Sequence, residues 1–168
     1  MLTQIDPRKI DQNVFSLIGE QWMLITAGPE EWCNTMTASW GGLGVLWGAP
    51  TATIYVRPQR YTREFLDREE YFTLAFFGEE YHKELALCGA KSGREIDKVK
   101  ECGFKVKTAA CGAPYFEQAQ LVLVCRKRYV REMDPERIPD DATEKWYPQK
   151  DYHIVYLGEI VEAYAGER

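Results

Sequence analysis

Six segments of the chain are rich in β-branched and aromatic residues, and residues that favour turns separate them. In chain order they cover residues 22–27, 35–40, 51–57, 71–77, 120–130 and 153–164. Ala27-Gly28-Pro29 and Gly48-Ala49-Pro50 are two of the turns, because glycine and proline end extended structure. Runs of this composition and spacing are typical of β-strands. The pattern predicts a mainly β chain folded as a barrel or a sandwich, and not as a doubly wound parallel sheet.

Helical signals are few and short. The predicted helices cover residues 63–68 and 79–87, with a helical turn over residues 97–101. Thr62 is expected to cap the first helix through its hydroxyl group. In the second helix, Leu85 and Cys88 share one face, which favours a packed cysteine over a redox-active one. Residues 134–149 are rich in proline and aspartate and predict a long loop.

Length and charge limit the function classes. The 168 residues suffice for one domain with a sizeable core, so we expect a single domain over residues 1–168. A net charge of −5 argues against a nucleic-acid partner, because binding to phosphates needs a basic face. No apolar run is long enough to span a membrane, and the N-terminal sequence MLTQIDPRKIDQ lacks the apolar core of a signal peptide. Five cysteines without a C-x-x-C pair suit reduced thiols, so we expect a cytoplasmic protein.

Several common catalytic and nucleotide-binding motifs are missing from the sequence. His82 and His153 are too few and too isolated for a zinc cluster, and there is no G-x-S-x-G motif. Gly42 and Gly44 form a G-x-G pair, but Trp47 occupies the position of the third glycine of a dinucleotide-binding motif. A bound nucleotide would therefore need a different kind of site.

The stretch NTMTASWGG places Thr35, Thr37 and Ser39 at alternate positions. In a strand these three hydroxyl groups lie on one face. Two interpretations remain open on the residues alone. One is an edge strand with a solvated hydroxyl face, and the other is a polar surface on which a flat ligand lies.

A candidate anion site follows the third predicted strand. Arg57 and Arg60 flank Thr62 and the free amide groups at the start of a helix, and this combination suits a phosphate group. The loop Lys91-Ser92-Gly93-Arg94 is a second candidate, because its glycine allows backbone amides to approach a ligand. The alternative is an exposed loop in which the arginines pair with acids such as Glu64 or Asp67.

Four motifs in register resemble the flavin reductase-like FMN-binding proteins, and the flavoredoxin-like branch most of all. They are NTMTASWGG, VRPQRYTREF, CGAKSGREIDKVKECG and DYHIVYLGEI, and the resemblance covers residues 13–166. It implies a split β-barrel with Greek-key strands and a few short peripheral helices. It also implies a homodimer with FMN bound near the subunit interface.

The same resemblance implies which residues hold the cofactor. Those along the isoalloxazine ring are Asn34, Met36, Thr37, Ala38, Ser39 and Trp40. Those at the phosphate and the ribityl chain are Arg57, Pro58, Arg60, Tyr61 and Thr62, with Lys91, Ser92 and Gly93 as a second group. His153 would lie on the nicotinamide side of the flavin as a catalytic residue, or else be a partly buried histidine bonded to a carbonyl group.

The implied function is an oxidoreductase that transfers a hydride from NADH or NADPH to FMN, and on to a flavin, a metal or a protein acceptor. The alternatives are a flavoredoxin-like electron carrier that never meets a nicotinamide, and a flavin-binding module without turnover. Trp146 and Tyr147 are candidates to close over the site. The basic residues Arg126, Lys127, Arg128 and Arg131 either contact the 2′-phosphate of NADPH or form a solvated face.

Overall fold

The computed structural model describes residues 1–166, which contain ten strands and five α-helices. The strands are β1 (Leu2–Ile5), β2 (Met23–Ala27), β3 (Asn34–Ala38), β4 (Gly41–Leu46), β5 (Ala49–Val56), β6 (Tyr71–Phe76), β7 (Val106–Thr108), β8 (Pro114–Phe116), β9 (Leu121–Glu132) and β10 (Ile154–Gly166). The helices are α1 (Val14–Gly19), α2 (Thr62–Arg68), α3 (His82–Ala90), α4 (Lys98–Glu101) and α5 (Asp140–Trp146). All six predicted strand segments are confirmed. Within residues 1–166, no helix has the length and apolar character needed to cross a membrane.

Eight of the strands form one antiparallel sheet, a split β-barrel. Its order is β3-β2-β6-β9-β10-β5-β4, with β1 paired to the far end of β10. Neighbours such as β2 and β6 are distant in sequence, which is the Greek-key feature of the predicted fold. Strands β7 and β8 form a separate small hairpin.

Both faces of the central strands are buried. In β2, the side chains of Met23 and Ile25 belong to the main core, which draws on six strands of the large sheet. Leu24 points to the other face and joins a second core formed with α3 and the β7–β8 hairpin. Because successive side chains of a strand alternate between faces, burial on both faces requires the unbroken apolar run MLI. This packing fixes β3, the next strand, against α3.

Strand β4 was not predicted, because its sequence GGLGVL is dominated by glycine. A hairpin turn pairs it with β5. Leu46 pairs with Ala49, so only Trp47 and Gly48 remain in the turn.

 Both residues of this turn have positive φ, 51° at Trp47 and 74° at Gly48. Two such residues in succession form the type I′ turn that suits the twist of a hairpin.

Two helical predictions need correction. Thr62 does not cap α2: the helix begins at Thr62 itself, Tyr61 occupies the cap position, and the Thr62 hydroxyl accepts a hydrogen bond from Asn34 Nδ2 at 2.8 Å. The predicted loop over residues 134–149 contains a short 3₁₀ helix, Pro135–Arg137, and the helix α5. Acidic residues at the start of α5 and Lys145 near its end favour a helix, because their charges suit the helix dipole. The high proline content of the segment predicted a loop instead.

Candidate functional site

Strand β3 forms the floor of the candidate site, and its hydroxyl face is turned into the protein. Thr35 is fully buried, and its Oγ1 lies 2.9 Å from Thr26 Oγ1. Thr37 donates a hydrogen bond to the backbone oxygen of Leu85 in α3. The prediction of a solvated hydroxyl face on β3 is therefore wrong. The prediction that these hydroxyl groups face a flat ligand is wrong for Thr35. Gly89 permits the close packing of α3, because a Cβ there would lie 3.3 Å from Thr37 Cβ.

An aromatic cleft of about 270 Å³ opens beside β3. Its lining consists of Met36, Thr37, Ala38, Ser39, Trp40, Tyr55, Arg57, Arg60, Trp146 and His153. Trp40 and Trp146 meet edge to face with their ring centroids 4.9 Å apart. The predicted ring contacts from 36 to 40 are thus brought together with both predicted arginines and His153.

A cationic crevice of about 190 Å³ adjoins this cleft, and Met36 and Arg60 line both. The crevice is lined by Met36, Gln59, Arg60, Tyr61, Thr62, Ala90, Lys91, Ser92 and Lys98. The two predicted phosphate-binding groups, after β5 and after α3, therefore meet at one place. Together the cleft and the crevice form an elongated site with an aromatic end and a cationic end.

Arg60 and Lys98 give the crevice its charge. Arg60 Nη1 donates to the backbone oxygen of Gly89 at 2.9 Å, while its Nη2 is buried without a hydrogen-bond partner. Lys98 is 4% exposed, and its Nζ donates to the backbone oxygens of Thr35 and Cys88, both at 2.8 Å. Burial and then the charge of Arg60 lower the pKa of Lys98 to about 8, and burial also lowers the pKa of Arg60.

No carboxylate in the described residues forms an ion pair with either cation. Buried charges in proteins are normally paired, because removing an ion from water is costly. Buried Lys98 beside half-buried Arg60, whose Nη2 group is buried and unused, therefore fits an anionic group such as a phosphate. This fit does not depend on Arg57.

Arg57 serves a different part of the site. Its Nη1 forms a 3.1 Å ion pair with Asp151, and its Nη2 donates to the backbone oxygen of Trp146 at 3.1 Å. It lines the aromatic cleft and not the crevice. The predicted alternative partners were also wrong, because Glu64 pairs with Arg94 and Asp67 with Arg63. Arg57 holds the segment after α5 against the end of β5.

Three of the predicted cofactor-binding residues, Asn34, Pro58 and Gly93, line neither the cleft nor the crevice. Gly93 packs against Asn34, since a Cβ at Gly93 would lie 1.9 Å from Asn34 Oδ1. Asn34 in turn orients the hydroxyl group of Thr62. Asn34 and Gly93 therefore support the crevice from behind.

His153 is almost fully buried, with 7% of its surface exposed, and it lines the aromatic cleft. Its Nδ1 lies 2.7 Å from the hydroxyl oxygen of Tyr147, and its ring lies 5.3 Å from that of Trp40. Burial and then the charge of Arg57 lower the pKa of His153 to about 4. The imidazole is therefore neutral at physiological pH. Its hydrogen-bond partner is the hydroxyl group of Tyr147, so the predicted alternative of a histidine bonded to a carbonyl group is wrong.

Of the remaining candidates, only Trp146 lines the cleft or the crevice. Cys88 is fully buried with its Sγ 3.7 Å from Cys102 Sγ, and burial raises the pKa of Cys88 to about 12, which disfavours the reactive thiolate. Among the basic residues of β9, Arg126 pairs with Glu70 and Arg128 with Glu159, as expected for a solvated face. Trp146 lines the aromatic cleft, whereas Tyr147 does not.

Sequence reasoning missed Lys98. Its motif was recognised, but the lysine resembles any other charged residue near the start of a short helix. The available signal was Asp97, which caps α4 by accepting a hydrogen bond from the Lys100 amide and so fixes where Lys98 begins the helix. Burial of its side chain between β3 and α3 depends on the packing of distant segments.

Comparison with known proteins assigns this architecture. Residues 15–168 match the family model described as a flavin reductase like domain. The chain belongs to the flavin reductase-like family. Among curated proteins, none matches the sequence.

Solved structures of this family have the same fold. Flavoredoxin from Methanosarcina acetivorans is 24% identical, with a TM-score of 0.71 over 97% of this chain and 77% of that chain. Flavoredoxin of Desulfovibrio vulgaris is 16% identical, with a TM-score of 0.69 over 97% of this chain and 78% of that chain. An NADH:FAD oxidoreductase from Streptomyces globisporus, in complex with NAD and FAD fragments, is 18% identical, with a TM-score of 0.64 over 87% and 74% of the two chains.

Proposed function

We propose that this protein binds FMN and acts as an oxidoreductase that accepts a hydride from NADH or NADPH and passes the electrons to a flavin, a metal or a protein. The observation that carries the proposal is a pair of cations, half-buried Arg60 and buried Lys98, at the end of an aromatic cleft. A flat, apolar ring with an anionic tail matches this arrangement. The similarity to flavoredoxins and to an NADH:FAD oxidoreductase supports the same choice.

Each part of the site has a distinct task in this proposal. Met36 and Ala38 lie along β3 beside the place of the ring, and Arg60 Nη2 and Lys98 Nζ hold the phosphate group. The neutral His153 offers an uncharged polar edge to the cleft. When bound, FMN would supply the hydride- and electron-accepting chemistry, and the protein would bind and orient it.

A second candidate function, electron carriage without a nicotinamide, is favoured by the position of Trp146. Its ring stands edge-on to Trp40 inside the cleft, and Arg57 binds its backbone oxygen. A tryptophan held in this way would obstruct the approach of a nicotinamide, which must come within about 3–3.5 Å of the reacting atom.

Anaerobic reduction tests the proposal. The protein is purified, its flavin is identified after extraction, and NADH or NADPH is added in excess in a stopped-flow spectrometer. We expect FMN and not FAD, and bleaching of the bound flavin within seconds. Protein that neither carries FMN nor binds added FMN would refute the binding site.

The variant Trp146→Ala distinguishes the enzyme from the carrier. Reduction of the variant but not of the wild type would identify a carrier whose cleft is obstructed. Trp32→Ala is the matched control, because Trp32 is also exposed but lies outside the cleft. A rate that changes equally in both variants would refute a special role for Trp146.

We also propose a cytoplasmic homodimer without nucleic-acid or membrane partners. Exposed apolar side chains such as Val45 and Trp47 support an interface between copies. Light scattering after size exclusion measures the oligomeric state. A monomer at micromolar concentration that is fully loaded with FMN would contradict the coupling of FMN binding to dimer formation that the resemblance implies.

A further inference from the structure

A second cavity, of about 630 Å³, lies beside the aromatic cleft and is here named the side cavity. It shares Ser39, Trp40, Tyr55 and His153 with the cleft, and its other walls come mainly from α1 and the start of β4. Its volume lies in the range of small-molecule sites, which are about 300–1,000 Å³. A compound in the side cavity would therefore lie next to whatever occupies the aromatic cleft.

The side cavity has no charged side chain. None of the described residues that line it is an aspartate, glutamate, lysine or arginine. Helix α1 contributes Val14, Phe15 and Ile18, and β4 contributes Gly41, Gly42 and Leu43. The lining is thus apolar except for a few hydroxyl groups and the imidazole of His153. This lack of charge contrasts with the cationic crevice.

Polar groups that can hydrogen-bond without charge converge at one side of this cavity. Tyr147 and His153 form a 2.7 Å hydrogen bond, and both line the cavity. The second partner of the Tyr147 hydroxyl group is the thioether sulfur of Met133 at 3.5 Å. With the hydrogen of the neutral imidazole on Nδ1, His153 donates to the Tyr147 oxygen, and the hydroxyl hydrogen of Tyr147 then faces only the weak thioether acceptor and is available to a better one. His153 supports this arrangement as a neutral ring, since burial lowers its pKa.

Charge selects among the possible occupants. A carboxylate or phosphate group would lose its hydration without meeting a cation, which is unfavourable. A nicotinamide dinucleotide carries a pyrophosphate group, so the side cavity alone does not suit it. A flat, uncharged ring with one carbonyl oxygen suits both the apolar walls and the Tyr147 hydroxyl group.

We propose that the side cavity binds neutral, planar aromatic carbonyl compounds, whose carbonyl oxygen accepts a hydrogen bond from Tyr147. The place of this cavity beside a flavin rests on the proposed function. The walls of the cavity and its hydrogen-bonding groups are independent of that function.

Two matched probes test the inference by calorimetry at pH 7. 4-Methoxyacetophenone is neutral, and 4-methoxybenzoate has nearly the same shape but carries a negative charge. We expect the ketone to bind at least about tenfold more tightly, because the anion must be desolvated without a counter-ion. Equal affinity, tighter binding of the benzoate, or no binding of the ketone would overturn the proposal.

Variants locate the bound ketone. Tyr147→Phe should weaken its binding about 2- to 10-fold, as expected for loss of one neutral hydrogen bond. Val161→Ala is the control, because Val161 is exposed on β10 and lies outside the cavity, and it should leave the affinity unchanged. Circular dichroism and melting temperature verify that each variant is folded. Unchanged ketone affinity in folded Tyr147→Phe would contradict the assigned hydrogen bond.

The same titrations, in protein with and without added FMN, separate this inference from the proposed function. Protein that binds FMN but ignores the ketone overturns only the side-cavity assignment. Protein that binds the ketone but not FMN overturns the proposed function and leaves the assignment standing. A dimer that buries Phe15 and excludes the ketone would show that a second copy occupies this surface, and would overturn the assignment.

Discussion

Replacing Lys98 by methionine removes one cation of the crevice and keeps a side chain of similar length. Lys98 Nζ lies in the crevice near Arg60, so its loss should remove one charge-assisted contact to a phosphate group. Such a contact contributes about 1.5–3 kcal/mol, which corresponds to a roughly 10- to 150-fold weaker affinity for FMN. Riboflavin lacks the phosphate group, and its affinity should change by less than about threefold.

Fluorescence quenching of FMN and riboflavin measures both affinities in one series. Lys100→Met is the matched control, because Lys100 is exposed on the same helix and lies outside the crevice. It should leave both affinities unchanged. Equal losses of FMN and riboflavin affinity in Lys98→Met would mean that Lys98 supports β3 and α3 without contacting the phosphate, and would refute the reasoning.

The pH dependence of stability offers an independent test of the same residue. The pKa of Lys98 falls from 10.5 to about 8 on folding, because the side chain is buried beside Arg60. Between these values the unfolded chain keeps the proton that the folded flavin-free protein has lost. The free energy of unfolding should therefore rise with pH across this window, by up to about 3 kcal/mol relative to Lys98→Met. Bound phosphate should abolish that rise, because it favours the charged lysine.

Three further outcomes are expected. Arg57→Ala should weaken FMN and riboflavin by the same factor in the quenching titration, because Arg57 pairs with Asp151 beside the cleft and not with the phosphate; a loss confined to FMN would contradict this. As pH falls from 6.5 to about 4, the His153 contribution should lower the free energy of unfolding by up to about 3 kcal/mol, because the imidazole takes up its proton first in the unfolded chain. Urea unfolding of the wild type and of His153→Gln across this pH range measures the difference, and parallel curves would refute the prediction. Gly93→Ala should destabilise the protein by about 1–3 kcal/mol, because its Cβ displaces Asn34; an unchanged melting temperature would argue against that contact.

The sequence was most informative where local chemistry determines structure. The strand segments were predictable because β-branched and aromatic residues mark them even where both faces are buried, as in β2 and the first five residues of β9. Strand β4 was not, because its three glycines carry no strand preference and only its pairing with β5 makes it extended. Pairing of this kind depends on the neighbouring strand.

The same difference between local chemistry and long-range pairing holds for the candidate site. The position of Arg60 in the crevice was predictable, because the residues around it in the sequence resemble a phosphate site before a helix. The role of Arg57 was not, since its partner Asp151 lies 94 residues further along the chain. Lys98 likewise acquires its meaning only when α4 packs against β3 and α3. Long-range pairing and burial are therefore what a single sequence failed to provide.

The unpaired Nη2 atom of Arg60 has a practical consequence for anyone who handles the flavin-free protein. Sulfate and phosphate are common buffer components, and an oxyanion that enters the crevice binds the folded chain and not the unfolded one. At a hundred times its dissociation constant, such an ion adds about 2.7 kcal/mol to the free energy of unfolding. A melting temperature measured in phosphate then includes the free energy of ion binding, so values from phosphate and from chloride solutions describe two different equilibria.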